Sequence, residues 1–412
     1  MKILYLTSNL PYPANSGGAQ RSALLLETLQ AMGEVECVFL LSHPVGGELL
    51  GKLKKQCNVR LLVSGHPVSE KRSLFRRQIS DLDARLGISS YFRAGRYRWQ
   101  LNAGLIQEMG SLADFNLVVV RYLQVAATFS LFGKKPMALD VDDYDPARLS
   151  LRVEHSSWMK NLTLRRALRY SAEAHTSLIP LADHKWVSNP EDFMYPELSN
   201  AALLPNVPSP AAFKKAATVA PVTKNAESHC LVMVGSFDYS PNLDGISWFI
   251  RKVWSIVRIA CPEATLKLVG RGIKERDKRW FESFAGICVC GFVDDLASVY
   301  GTCTATIAPM LAGGGTNIKV IESAAFARAP ILTTIAYRGL KDSLQPEVEC
   351  LLAHDATEMS RQCIRLLQDP KQAEEIGLAA QRSINARHSL PVFKKSVENG
   401  CEAAMRNFKR KQ

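Results

Sequence analysis

The sequence predicts an α/β protein made of two domains, each built on a parallel sheet. Its 412 residues exceed the length of one ordinary domain. Short apolar runs alternate with longer amphipathic stretches along the whole chain, which is typical of strands buried on both faces and joined by crossover helices. Because 47% of the residues are hydrophobic and 22% are charged, each half can bury its own core. This composition argues against a disordered or low-complexity protein.

The first half contains apolar runs short enough to be strands and amphipathic stretches long enough to be helices. The predicted strands are residues 2–7, 35–41, 59–63, 117–120, 137–141, 185–187 and 202–204. The predicted helices are residues 20–32, 49–56, 98–109 and 160–182. Strands and helices therefore follow one another as crossover connections in a parallel sheet require.

The second half repeats this pattern and ends in a long amphipathic stretch. The predicted strands are residues 230–234, 265–269, 287–290, 305–308, 330–333 and 350–352. The predicted helices are residues 243–259, 295–300, 317–328, 356–368, 371–387 and the terminal 390–411. A second parallel sheet with its own helices is therefore expected.

The domain boundaries follow from a Pro-rich stretch between the halves. Residues 205–228 contain four prolines among Ala, Ser and Lys residues, a composition typical of linkers. We predict an N-terminal domain at 1–207, a linker at 208–228, a C-terminal domain at 229–388 and a terminal helix at 389–412 that packs back on the N-terminal domain. Two such domains facing each other would form a cleft at the carboxyl ends of their strands, where open α/β sheets bind ligands.

The ten cysteines form neither a CxxC pair nor a Cys/His cluster with zinc spacing, so no metal site is predicted. Apolar flanks around Cys230, Cys288, Cys290 and Cys303 indicate buried thiols in a reducing compartment. The N-terminus lacks a signal-peptide core, and the most apolar stretch, residues 117–132, is shorter than a bilayer span. We therefore expect a cytoplasmic protein that does not cross a membrane.

A glycine-rich run follows one predicted strand, since residues 308–322 read APMLAGGGTNIKVIE. The glycines let a ligand approach the backbone, and a helix capped by Thr316 would offer unpaired N–H groups and a positive dipole to a diphosphate. Lys319 would add a positive charge, and Glu322 is spaced to accept hydrogen bonds from sugar or ribose hydroxyls. The alternative is a plain glycine-rich turn in which Lys319 and Glu322 are solvated.

Further segments of the chain combine with this run into a wider pattern. They read VGSFDYSPNLD at residues 234–244, LVGRG at 268–272 and AFARAP at 325–330, and the first strand is followed by Pro11, Pro13, Gly17, Gly18 and Arg21. Together these segments resemble the GT-B family of retaining, nucleotide-sugar-dependent glycosyltransferases (family four), most closely a bacterial polysaccharide-assembly branch. The resemblance covers essentially the whole chain. It implies a GT-B fold, in which two Rossmann-like doubly wound domains face each other across a cleft.

The resemblance also implies roles for individual residues. Donor-binding roles fall on Gly17, Gly18, Gly235, Ser236, Phe292, Val293, Gly314, Gly315, Thr316, Asn317 and Glu322. Catalytic roles fall on Lys319 and Arg271, which would face the diphosphate, and on Asp140, which lies where the family often has a His or Asp that contacts the transferred sugar. An alternative for this acidic segment is that Asp142 and Asp143 cap the following helix.

The activity that the resemblance implies is transfer of a sugar from a nucleoside diphosphate donor to a cell-surface polysaccharide or a lipid-linked glycan. It implies front-face attack with the departing phosphate as base, so that neither a metal nor a further cofactor is expected. Gly314 stands where many relatives carry an acid, and Ser236 where many carry a basic residue.

Three other classes of protein could use such a fold. A nicotinamide dehydrogenase requires GxGxxG directly after the first strand, where residues 9–16 intervene instead. A nucleotide-sugar epimerase of the same fold remains an alternative because it would use a similar donor cleft. So does a non-catalytic nucleotide-sugar-binding partner of a glycan assembly complex.

Residues 71–98 combine basic and aromatic side chains. They hold eight basic residues against two acidic ones, and the whole chain carries a net charge of +12. Such a segment fits docking to the anionic inner face of the plasma membrane and to lipid-linked acceptors. Single-stranded nucleic acid would bind a similar surface, but no RNA- or DNA-binding motif accompanies it. A solvated helix face is the remaining alternative.

Overall fold

The N-terminal unit is built on one sheet of parallel strands. The computed structural model describes residues 1–14, 16–41, 45–64, 103–154, 158–208, 210–216, 219, 222, 229–313 and 316–412, of which Met1–Leu204 and Lys394–Gln412 form this unit. The strands are β1 Lys2–Thr7, β2 Glu34–Leu41, β3 Asn58–Ser64, β4 Leu117–Arg121, β5 Met137–Asp142, β6 His184–Val187 and β7 Ala202–Leu203. Their order is β3-β2-β1-β4-β5-β6-β7. The connections therefore reverse direction between β1 and β4, and ligands bind at such a point in open α/β sheets.

Helices cover this sheet. They are α1 Gly17–Met32, α2 Gly47–Gln56, α3 Ala103–Met109, α4 Leu123–Thr128, α5 Asp145–Glu154 and α6 Trp158–Leu178. Helix α1 begins after Ser16, whose side chain accepts a hydrogen bond from the N–H of Ala19 and so satisfies a donor of the first turn. The strands contribute Leu4, Val120 and Leu139 to a fully buried core, which is why apolar residues predominate in their sequences.

The C-terminal unit, Pro205–Phe393, repeats the arrangement. Its strands are β8 Cys230–Val234, β9 Thr265–Val269, β10 Ile287–Gly291, β11 Ala305–Ala308, β12 Ala329–Thr333 and β13 Leu351–Ala353, in the order β10-β9-β8-β11-β12-β13. The connections reverse between β8 and β11. All strand pairs within both sheets are parallel, so the predicted α/β class is confirmed.

Helices also cover the sheet of the C-terminal unit. They are α7 Pro210–Ala216, α8 Ser240–Phe249, a π-helical turn Ile250–Trp254, α9 Ser255–Ala260, α10 Glu275–Glu282, α11 Leu296–Gly301, α12 Ile318–Ala325, α13 Thr334–Tyr337, α14 Ala356–Gln368 and α15 Pro370–Arg387. Helix α16, Leu390–Lys411, follows, and its residues from Lys394 onward belong to the N-terminal unit. One face of α16 buries Val397, Cys401 and Ala404.

The structure differs from the sequence-based expectations at several points. Helix α7 lies inside the predicted linker, where Ala212 and Ala216 pack in a cluster with Cys230. Cys288 and Cys290 were expected to be buried, and this was wrong: both are exposed, because β10 is the edge strand of its sheet. The basic and aromatic segment 71–98 lies outside the described residues. Among the described helices, none combines the length and apolar character needed to span a bilayer.

Candidate functional site

Three loops of the C-terminal unit are joined by main-chain hydrogen bonds at the carboxyl edge of its sheet. The N–H of Gly235, after β8, donates to the carbonyl of Val269 over 2.9 Å, and the N–H of Phe237 donates to the carbonyl of Arg271 over 2.8 Å. The N–H of Gly270 donates to the carbonyl of Gly291 over 2.7 Å. The loops after β8, β9 and β10 therefore form one main-chain frame.

Glycine is required at two contacts around this frame. Gly270 has φ +141°, and a Cβ atom there would lie 1.7 Å from the carbonyl oxygen of Gly235. Gly245 in α8 would place a Cβ atom 2.4 Å from the carbonyl oxygen of Pro309. No side chain fits at either position, because real Cβ contacts are far longer. The absence of side chains brings the β8 and β9 loops, and α8 and the β11 loop, into direct contact.

Lys319 lies in the first turn of α12 and connects it to the β8 loop through Asn242. Its Nζ donates to Oδ1 of Asn242 and lies 3.2 Å from Sδ of Met310. Asn242 is buried, and its Nδ2 donates to the carbonyl of Ser236 over 2.7 Å. Within the described residues no carboxylate forms an ion pair with Lys319, and burial lowers the pKa of its ammonium group to about 7. A bound anion would stabilise the charged form.

Helix α12 begins one residue later than expected. Thr316 was predicted to cap the helix, and this was wrong: its hydroxyl donates to the carbonyl of Gly339 over 3.4 Å. Asn317 occupies the N-cap position, but its side chain makes no capping hydrogen bond and instead donates to the carbonyl of Ala336 over 3.0 Å. Both side chains therefore donate hydrogen bonds to carbonyl groups of the segment that follows β12. The N-cap residue therefore leaves the N–H groups of the first turn without a side-chain acceptor in the described part of the chain, an arrangement suited to binding an anion.

Glu322 lies on the buried side of the same helix. Only 8% of its surface is exposed, and Oε2 accepts a hydrogen bond from the Tyr300 hydroxyl over 3.4 Å. Burial raises the pKa of Glu322 to about 7, so its carboxyl group is poised between protonated and ionised forms near neutrality.

Other predicted site residues of this unit fall at the same edge. Arg271 is exposed directly after β9, and Phe292, 60% exposed, follows β10. Val293 packs partly against the buried cluster that includes Val232. Gly314 and Gly315 lie outside the described residues. Asn242 was missed as a site residue, although it belongs to the VGSFDYSPNLD segment that signalled this loop.

The N-terminal unit holds a buried ion-pair network at the carboxyl edge of its own sheet. Arg21 contacts Asp140 with two hydrogen bonds, from Nε over 2.9 Å and from Nη2 over 2.7 Å. Nε of Arg121 also donates to Asp140 over 2.9 Å, while its Nη2 contacts Asp142. Burial alone would raise the pKa of Asp140, but the two arginines hold it below its usual value.

Asp140 is therefore enclosed rather than presented to a ligand. Its side chain is 0% exposed, and both oxygens are bound by guanidinium groups. Direct contact between Asp140 and a sugar stays a prediction, and in this geometry Asp140 is a positioning residue for Arg21 and Arg121. Sequence reasoning missed Arg121, because nothing in an apolar strand such as β4 indicates the partner of its last residue.

Backbone strain accompanies the network. Asp142 and Tyr122 adopt φ values of +61° and +71°, a region that non-glycine residues rarely occupy and that concentrates at functional sites. The Tyr122 hydroxyl accepts hydrogen bonds from Arg121 over 3.0 Å and from Nδ2 of Asn9 over 2.7 Å. Asp143 follows Asp142 in the chain, and its burial together with the charge of Asp142 raises its pKa to about 6.

The two glycines predicted to bind the donor lie beside this network. Gly17 and Gly18 form the start of α1, and the carbonyl of Gly18 accepts a hydrogen bond from Nη1 of Arg121 over 2.6 Å. A Cβ atom at Gly18 would lie 2.5 Å from Nδ2 of Asn9. Gly18 thus lets the loop after β1 lie against the start of α1.

Comparison with known proteins bears on both units. Residues 228–369 match the family model described as glycosyl transferases group 1, so the C-terminal unit carries a domain of that kind. No curated protein sequence gives a significant match.

Solved structures resemble nearly the full chain. Sucrose-phosphate synthase from Thermosynechococcus elongatus has a TM-score of 0.65 at 15% identity, over 97% of this chain and 98% of that one. HepE from Anabaena, in complex with UDP and glucose, has a TM-score of 0.60 at 13% identity, over 97% and 98%. A glycosyltransferase from Rickettsia africae has a TM-score of 0.60 at 13% identity, over 99% of each chain. These likenesses confirm the predicted GT-B fold class.

Proposed function

We propose that this protein is a retaining glycosyltransferase of the family-four type, from a bacterial polysaccharide-assembly branch. It moves a sugar from a nucleoside diphosphate donor to a cell-surface polysaccharide or a lipid-linked glycan. The observation that carries the proposal is Lys319, whose buried ammonium group has no carboxylate partner among the described residues and lies at an uncapped helix N-terminus. The glycosyl transferases group 1 domain at 228–369 supports it.

The proposed chemistry needs stabilisation of the leaving group above all. As the glycosidic bond loosens, negative charge develops on the departing diphosphate, and Lys319, Arg271 and the N-terminus of α12 meet it with fixed positive charge. Groups that are held in place before the reaction stabilise such charge without reorganisation. The acceptor hydroxyl attacks from the same face that the diphosphate leaves, and the diphosphate takes its proton.

The same positive charges support transfer without a bound metal, since they can neutralise the diphosphate themselves. HepE, whose structure contains UDP and glucose, makes UDP-glucose a suitable first donor to test. Peripheral association with the inner face of the plasma membrane through residues 71–98 is part of the same proposal.

The donor proposal predicts ligand-dependent stabilisation. A nucleotide sugar that binds only the folded protein raises the free energy of unfolding by about 2.7 kcal/mol at a hundred times its Kd. We expect UDP-glucose, GDP-glucose or another nucleotide sugar to raise Tm, and the matching nucleoside monophosphate, which lacks the second phosphate, to raise it less. No stabilisation by any nucleotide sugar would contradict the proposal.

Glu322 is proposed to bind the ribose hydroxyls of the donor. Since that contact exists in both ground and transition states, Glu322→Gln is expected to raise the donor KM more than it lowers kcat. The amide keeps the size of the side chain and an acceptor for the Tyr300 hydroxyl. Steady-state kinetics with varied donor measure both constants. A defect confined to kcat would instead identify a catalytic carboxylate and favour the epimerase.

A further inference from the structure

A polar cavity of about 330 Å³ lies in the N-terminal unit where β6 begins, against the last turns of α16. Its lining residues are Pro180, Ala182, Asp183, His184, Lys185, Asn200, Asn407, Arg410 and Lys411. Because all strands of a parallel sheet start at one edge, this cavity is at the opposite edge from Asp140 and Asp142. It therefore belongs to neither candidate site described above.

Positive charge exceeds negative charge around the cavity. Its lining contains three basic side chains, Lys185, Arg410 and Lys411, against the single carboxylate of Asp183. That carboxylate is already used, since Oδ1 pairs with Nζ of Lys411 over 2.9 Å and Oδ2 accepts the N–H of Met137 over 3.0 Å. The charges of Lys185 and Arg410 are left without a carboxylate in the lining.

Lys185 is the residue for which this imbalance matters most. It is 5% exposed, and its Nζ donates to Oδ1 of Asn200 over 2.6 Å. Burial and the nearby charge of Lys411 both lower the pKa of Lys185. An ammonium group that is buried and repelled by a second cation is stabilised when an anion enters.

Hydrogen bonds among the lining residues fix the shape of the cavity, and one buried nitrogen atom of a lining residue has no partner among the described residues. Nε2 of His184 is buried and has no partner in the described part of the chain. Nδ2 of Asn407 donates to the carbonyl of Asp183 over 2.9 Å, which holds α16 against the start of β6. The amide of Asn200 is fixed by Lys185, so its orientation is set before any ligand arrives.

We propose that this cavity binds the phosphate monoester group of a small soluble molecule, held by Lys185 and Arg410. The volume is at the lower end of the range for small-molecule sites, and it exceeds what inorganic phosphate alone would fill. Lys411 keeps Asp183 neutralised, so that the carboxylate does not repel the ligand. Binding at this cavity does not depend on the proposed sugar transfer, because the cavity lies in a different unit from Lys319 and at the opposite edge of the sheet from Asp140.

The test uses glycerol 3-phosphate as the probe, titrated calorimetrically into the full chain at constant ionic strength, with inorganic phosphate as a second probe. Arg410→Gln removes an exposed side chain of the lining, and we expect it to weaken binding about tenfold or more, as loss of one charge-assisted hydrogen bond does. The matched control is Lys409→Gln, which removes the same charge from an exposed neighbour outside the lining. Equal affinities of the two variants would overturn the proposal.

Two further arms identify the site and the source of the phosphate. Lys185→Met, checked for an unchanged circular dichroism spectrum, is expected to weaken binding as Arg410→Gln does, while saturating UDP-glucose leaves the titration unchanged. Loss of the signal on adding UDP-glucose would assign the phosphate to the C-terminal unit and overturn the proposal. Vesicles containing phosphatidic acid separate a lipid surface from a soluble ligand. The proposal would also be overturned if the protein co-sediments with these vesicles but does not bind glycerol 3-phosphate, and if Arg410→Gln and Lys185→Met reduce the co-sedimentation alike.

Discussion

Lys319→Ala is expected to lower kcat/KM for the sugar donor by about a hundredfold or more while the protein stays folded. The lysine supplies a charge where the leaving diphosphate becomes most negative, and loss of one such group typically costs that much. Initial rates with a saturating acceptor and varied donor measure the effect. Lys252→Ala, which removes an exposed lysine of the π-helical turn of the same unit, serves as the control and should retain full activity.

The pH dependence of donor binding provides a second readout of the same residue. Since the pKa of Lys319 is about 7, the side chain is mostly charged at pH 6 and mostly neutral at pH 8. An anion that requires the charged form should bind about tenfold more weakly at pH 8, and this dependence should vanish in Lys319→Ala. Glu322 titrates in the same range. The pH dependence that remains in the Glu322→Gln variant is therefore that of Lys319. If Lys319→Ala turns over substrate as fast as the wild-type protein, this lysine does not take part in the reaction.

Asp140→Asn is expected to cause the largest loss of stability, about 3–5 kcal/mol in the free energy of unfolding. The substitution keeps the size of the side chain but removes the charge that Arg21 and Arg121 share, leaving two buried guanidinium groups undercompensated. Urea denaturation followed by circular dichroism measures the change. Asp114→Asn alters an exposed aspartate of the same unit and should change stability by no more than about 0.5 kcal/mol.

A role of Asp140 in contacting the sugar would give a different result. The variant would then unfold like the wild-type protein and lose only turnover. If Asp140 positions the arginines, stability and activity should fall together, because Arg121 also donates hydrogen bonds to the strained Asp142 and Tyr122.

The sheets could be predicted from the sequence because most strands contain a short run of apolar residues, such as LVVV in β4 and CLVMV in β8. Helix α10 was missed because its sequence, ERDKRWFE, is almost entirely charged and buries only Phe281. Helix α7 was missed because Pro, Ala and Lys suggested a linker.

The site was predictable only where its residues are contiguous. The glycine run gave Lys319, but its partner Asn242 is 77 residues away. Arg21 and Asp140 are 119 residues apart. Pairing over such distances depends on the strand order, which local patterns do not encode. The buried environments that shift the pKa values of Lys319 and Glu322 arise from the same packing.

The loops after β8, β9 and β10 are held together by main-chain atoms, so their side chains can be exchanged without moving the scaffold. Ser236 and Phe292 are on these loops, and the three hydrogen bonds described above that join the loops run between N–H and carbonyl groups. If these loops bind the donor as proposed, donor preference can diversify by substitutions at Ser236 and Phe292 at little cost in stability. Gly270 does not share this freedom, since any side chain there collides with Gly235. A library for changing the donor sugar should vary Ser236 and Phe292 together and keep Arg271 and the glycines constant.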